Sequence, residues 1–98
     1  MVEVVWTARS LNDINQIAEY IAKDSFTYAA GVVERIFSLE KLIKKTPEFG
    51  RVVPEFNNKK IREIISGNYR VVYRITDLQI QILTVHHGAR LLTKRKIK

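Results

Sequence analysis

The side chains able to do chemistry in this 98-residue chain are few, and most lie in its C-terminal half. Cysteine is absent, which removes a thiolate nucleophile and a disulfide framework together. Histidine occurs only as the adjacent pair His86-His87. Imidazole titrates near neutrality, so either ring can act as acid or base, but two histidines are too few for a zinc site built by the protein alone. The other candidates are cations. Lys60 and Arg62 alternate in one apolar run and Arg70 and Arg74 lie an even number of residues apart in the next, the spacing at which side chains of a strand share a face. Lys and Arg total 17 against 10 Asp and Glu, a net charge of +7, and such a surface suits polyanions or an acidic protein.

Those residues need elements to hold them. Val2 to Trp6 is β-branched and aromatic and ends at Thr7, a helix cap. Apolar residues Leu11, Ile14, Ile17, Ala18 and Ile21 then recur at three- and four-residue steps, predicting an amphipathic helix over Ala8 to Lys23. Asp24 or Ser25 caps a second helix from Phe26 to about Lys45, with Lys41, Lys44 and Lys45 at the end where the dipole favours cations. Two helices joined this closely form an antiparallel hairpin. Pro47 stops the second helix, and Glu48 to Asn58, rich in Pro, Gly and Asn, predicts an ordered loop with buried aromatics.

Three strand-like runs follow, Lys60 to Ser66, Tyr69 to Thr76 and Gln79 to His86, joined by the hairpin-length pairs Gly67-Asn68 and Asp77-Leu78. The expected architecture is α+β: an N-terminal strand, a helical hairpin, then a three-stranded antiparallel meander, with the helices on one sheet face. Alternation puts Tyr69, Val71, Tyr73 and Ile75 under the helices and Arg70, Val72 and Arg74 on the open face. Placing the polar side of the preceding strand there too predicts that Lys60, Arg62 and Arg70 gather on the uncovered side of the sheet. Trp6, Tyr69 and Tyr73 then belong to the core rather than to a base-stacking platform. The length fits one domain over residues 1–98, with 91–98 as a basic tail containing Lys94-Arg95-Lys96-Ile97-Lys98. The N-terminal stretch Met1 to Trp6, apolar except for Glu3, is too short for a signal peptide or a bilayer span, so a soluble cytoplasmic protein without membrane contact is expected.

The meander contains Gly67-Asn68-Tyr69-Arg70-Val71-Val72-Tyr73-Arg74-Ile75 and ends Val85-His86-His87-Gly88-Ala89-Arg90. With Trp6-Thr7-Ala8, the Asp13, Ile17 and Tyr20-Ile21 helix pattern, and Pro47-Glu48-Phe49-Gly50-Arg51 before Val-Pro-Glu, it resembles the RelE/ParE superfamily of bacterial type II toxins over nearly the whole chain. The resemblance implies the toxin of a type II toxin–antitoxin (plasmid stabilisation) system, neutralised by a cognate antitoxin protein in a hetero-oligomer and needing no cofactor.

The superfamily divides into ribosome-dependent mRNA endonucleases and ParE-like inhibitors of DNA gyrase, and fold alone does not choose between them. Metal-free RNA cleavage needs a base for the 2′-OH, cations for the phosphorane and an acid for the leaving oxygen. On the RelE-like reading Arg70 matches the strand arginine, Glu55 the loop carboxylate and His87 the C-terminal histidine, so these three would be catalytic. Lys60, Arg62, Arg74 and Arg90 would then contact nucleic acid or another target. Gly88, however, stands where such nucleases carry a tyrosine, and His87-Gly88-Ala89-Arg90 looks more like the His-Gly-x-Arg close of the ParE branch. The resemblance therefore favours gyrase inhibition, with ribosome-dependent mRNA cleavage and an inactive antitoxin-binding relative as alternatives.

Overall fold

Thr7 ends one strand and begins one helix, and its single hydroxyl serves both: Oγ1 accepts the Ser10 N–H at 3.2 Å and donates to the Ile82 carbonyl at 2.6 Å. In this computed structural model, which describes residues 2–88, the chain runs β1 (Glu3–Trp6), α1 (Ala8–Ala22), α2 (Phe26–Lys45), a 3₁₀ turn (Pro47–Phe49), β2 (Arg51–Val52), β3 (Ile61–Ser66), β4 (Tyr69–Ile75) and β5 (Gln79–His87). Ser25 caps α2 by accepting the Tyr28 N–H at 3.1 Å. The strands form one sheet in the order β1-β5-β4-β3-β2. β1 lies parallel to β5, with Glu3 beside Gln79 and Trp6 beside Ile82, and all other pairings are antiparallel. The strand, helical hairpin and meander expected from the sequence are therefore present. No helix among the described residues is long and apolar enough to cross a membrane.

The sheet has two cores. On the helix side Ile14, Val32, Ile36 and Ile43 pack on Val71, Tyr73, Ile80, Ile82 and Val85, with Trp6 and Tyr69 packed against them. Burial of these side chains is the main force holding the helices down. On the far side a smaller core joins Val72, Ile61 and Leu83 to Val53, with Phe56 against them. The segment between β2 and β3 is thus a strap sealing a face that a two-layer arrangement would leave wet. Leu83 reaches this core through a register shift: Val72 pairs with Thr84 and Tyr73 with Ile82, which leaves Leu83 as an extra residue in β5.

The loop expectation needs two corrections. Arg51 and Val52 form a short edge strand within it, and of its aromatics Phe56 is half-buried but Phe49 is 59% exposed. Gly50 is required by crowding, since a Cβ there would lie 2.5 Å from Tyr73 Oη and 2.7 Å from the Glu63 carbonyl oxygen. Gly67 is required by conformation: its φ of 59° at the first central position of the β3–β4 hairpin is the left-handed value that glycine tolerates.

Candidate functional site

Arg70 lies on the far face of β4, beside Ile65 of β3 and His86 of β5, and is only 5% exposed. Its Nε donates to Glu63 Oε1 at 2.5 Å, while Nη1 and Nη2 donate to the two oxygens of Glu55 at 2.8 and 2.9 Å. The second oxygen of Glu63 accepts Arg51 Nε at 2.6 Å across the β2–β3 ladder. Arg51, Glu63, Arg70 and Glu55 thus form a chain of alternating charge over the sheet. Glu63 is 1% exposed, and an isolated buried carboxylate costs several kcal/mol, so its two guanidinium partners are what permit a charge there. The Arg70 guanidinium is held above its ordinary range chiefly by the bonds from Glu55, with Glu63 adding and burial opposing.

The expected gathering of Lys60, Arg62 and Arg70 on one face is not what the fold produces. Arg62 pairs with Tyr73 and shares its helix-side face, where its guanidinium donates to the carbonyls of Gly50 at 2.9 Å, Lys59 at 3.0 Å and Glu48 at 3.3 Å. It bolts β3 to the turn after α2. Lys60 is exposed in the turn before β3, where its N–H donates to Asn58 Oδ1 at 2.9 Å. The misassignment has a physical cause. In β3 the far-face positions are Ile61, Glu63 and Ile65 and the helix-side positions are Arg62, Ile64 and Ser66, so neither side is cleanly polar and the register cannot be read from polarity. Arg74 does share the far face with Arg70, beside Ile61, and is half-buried. Arg90 and the basic segment 91–98 lie outside the described residues.

Of the three candidate catalytic residues the structure brings two together. Glu55 meets Arg70, whereas His87 pairs with Tyr69, one residue away from Arg70 and therefore on the opposite face. Its ring lies edge-on to Tyr69 with centroids 5.9 Å apart. His86, not His87, is the imidazole on the side of Arg70, and it is buried.

A second feature lies at the end of β5, a cleft of about 710 Å³ lined by Arg9, Asp13, Gln16, Tyr20, Tyr69 and His87 among others. Asp13 holds its floor together, with Oδ2 accepting from Thr84 Oγ1 at 2.6 Å and from the Val85 N–H at 3.1 Å. Burial, then the nearby Tyr28 and Tyr20, push the Tyr69 phenol above its usual value. Sequence reading missed Glu63 and Arg51. The signal available for Glu63 was a carboxylate among the isoleucines of β3, which folding buries only when cations meet it.

These features belong to a toxin fold. The family model described as the ParE toxin of the type II toxin–antitoxin system parDE matches residues 4–92, and the chain belongs to that family. Toxin RelE2 of Caulobacter vibrioides is 30% identical over 92 residues, covering 93% of this chain and all of that protein. Among solved structures, the chromosomal ParDE toxin–antitoxin system of P. aeruginosa superposes with a TM-score of 0.73 at 20% identity, over 89% of this chain and 96% of that one. The YoeB/ParE toxin from Agrobacterium tumefaciens gives 0.61 at 22% identity, over 88% and 98%. The chain is a type II toxin of the RelE/ParE superfamily.

Proposed function

We propose that this toxin acts as a ParE-like inhibitor of DNA gyrase and is neutralised by a cognate antitoxin. The observation that carries the choice of target is the placement of His87. A nuclease of the RelE type needs its acid, its base and its phosphate-holding arginine around one scissile phosphate, within hydrogen-bond reach. Here His87 and Arg70 stand on opposite sides of the sheet, and Arg70 already bonds to two carboxylates. Gly88 follows where a nuclease would carry an aromatic hydroxyl. The antitoxin follows from the family, since the matched family and the P. aeruginosa ParDE structure both describe toxin–antitoxin systems.

One observation favours the other target. Glu55 and Arg70 do meet, and a carboxylate beside an arginine is part of what an RNA-cleaving site requires. The two readings separate when the purified toxin is assayed in parallel for gyrase supercoiling with trapped DNA breaks and for mRNA cleavage on translating ribosomes. Gyrase inhibition without cleavage supports the proposal. Ribosome-dependent cleavage that disappears in both Arg70→Ala and His87→Ala overturns it.

A further inference from the structure

We infer that the outer groove of the helical hairpin is a docking site for an amphipathic helix of another protein, one whose apolar stripe is flanked by lysine or arginine. The groove lies between α1 and α2 on the side away from the sheet, so the inference goes beyond the choice between gyrase and ribosome and holds for either.

Each helix packs one stripe on the sheet and leaves a second apolar seam facing solvent. Ala18 and Ala22 of α1 and Ala30 and Val33 of α2 line a hollow of about 420 Å³ there. Their side chains are small, so a third helix can approach the pair closely. Phe26, the first residue of α2, lines the same groove and is 83% exposed. An aromatic ring left in water beside an unfilled apolar hollow is the pattern of an anchor residue, whose burial contributes only when a partner covers it. Apolar side chains three and four residues apart on a partner helix lie along such a seam, which is the helix-in-groove mode of recognition.

Charge decides which helix fits. The chain carries a net charge of +7, yet the residues lining this groove include two carboxylates, Glu19 from α1 and Glu34 from α2, and no cation. They stand one on each bank, both exposed, and neither makes a hydrogen bond or ion pair. Lys23 is four residues beyond Glu19, where it could pair along the helix, but its Nζ lies over the Tyr20 ring, 5.7 Å from the centroid. Both banks are therefore left for an incoming charge. A polyanion or an acidic helix meets like charge on either side of the seam, whereas a helix with cations flanking its apolar stripe meets opposite charge on both. A second copy of this chain, docked about a two-fold axis, presents the same two carboxylates and sets like against like.

The test measures, by fluorescence anisotropy, binding of the full chain to a fluorescein-labelled synthetic helix of about 15 residues with leucine along one stripe and lysine on both flanks, and to the same peptide with glutamate replacing each lysine. Physiological salt is used, so that the chain's distant cations are screened. Wild type is expected to bind the lysine-flanked peptide about tenfold tighter, the scale of two exposed pairs turned from attraction to repulsion. Glu19→Gln/Glu34→Gln is expected to cut that preference to less than about twofold, while Glu3→Gln/Glu48→Gln, which removes the same charge from exposed positions elsewhere, leaves it within about twofold of wild type. Phe26→Ser is expected to weaken binding of the lysine-flanked peptide about tenfold or more. All five side chains are exposed, so the variants keep the fold, which circular dichroism checks. The inference is overturned if the two peptides bind wild type equally, if the preference survives Glu19→Gln/Glu34→Gln, or if Phe26→Ser leaves affinity within about twofold. It is also overturned if sedimentation of the chain alone shows a dimer that Phe26→Ser dissociates, which gives the groove to a second copy.

Discussion

The phenol of Tyr73, on the central strand of the sheet, accepts the N–H of Gly50, which lies between the 3₁₀ turn and β2, at 2.9 Å and donates onward to the Pro47 carbonyl at 2.6 Å. Tyr73 is fully buried, so the loop after α2 is fixed to the middle of the sheet by a polar contact that water cannot replace. Tyr73→Phe leaves two backbone groups without this partner and is expected to cost about 1–3 kcal/mol. Gly50→Ala drives a methyl into both Tyr73 Oη and the Glu63 carbonyl and is expected to cost about 1–3 kcal/mol or more. In urea denaturation the double variant should cost less than the sum, because removing the hydroxyl removes one of the two clashes.

The same phenol gives the protein an alkaline limit. Burial pushes Tyr73 above the usual phenol value of 10.0, opposed by the Gly50 hydrogen bond. Its ionisation is easier in the unfolded chain, so above that value the unfolded state binds fewer protons and stability falls as pH rises. The contribution is present in full below pH 10.0 and is lost as pH climbs toward the raised folded value; Tyr69, raised for the same first cause, adds in the same direction. Urea midpoints measured on both sides of that pH should fall on the alkaline side, and fall less in Tyr73→Phe. Parallel curves for the two proteins would show that Tyr73 is not the group responsible.

What the sequence made legible follows from which patterns are local. The caps Thr7 and Ser25, the three- and four-residue apolar steps of both helices and the glycine turn at Gly67 act within a few residues, and the elements fall within a residue or two of where those signals put them. The face assignment of β3 is not local. It depends on whether Glu63 finds cations, and those come from Arg51 on one neighbouring strand and Arg70 on the other. The strap is likewise invisible to periodicity, because Val53 and Phe56 cover the far face from a segment without regular structure. Of the candidate residues, Arg70 and Glu55 are named by the resemblance and their side chains meet, whereas Glu63, buried against Arg70, carries no such mark in the sequence.

Glu63 and Arg51 share a hydrogen bond yet should respond very differently to substitution. Removing the carboxylate in Glu63→Ala leaves Arg70 buried with one partner fewer and opens a cavity, an expected loss of about 3–5 kcal/mol. Arg51 has a side chain 63% exposed, and Glu63 retains Arg70 when it is gone, so Arg51→Ala should cost less than about 1 kcal/mol. Thermal melts give a direct comparison, since each kcal/mol moves the midpoint by roughly 4–8 °C in a chain of this size. Equal shifts would mean that the ion chain is one unit rather than a buried pair with an exposed end.

His87 offers the sharpest functional contrast, because its position on the sheet separates structure from chemistry. It is exposed, packs edge-on to Tyr69 and stands on the helix side while Arg70 stands on the other. A general acid or base contributes about 10²–10⁴-fold to a rate, so His87→Ala would abolish detectable toxicity if the toxin cleaved RNA through that ring. With gyrase as the target and no proton to transfer, growth arrest on induction and supercoiling inhibition in vitro should stay within about threefold of wild type, the scale of one lost exposed contact. His87→Gln and His87→Phe complete the comparison. The former keeps a polar group and the latter keeps the ring against Tyr69, so activity retained in both assigns the position to packing at the mouth of the cleft, and activity lost in both restores it to the chemistry.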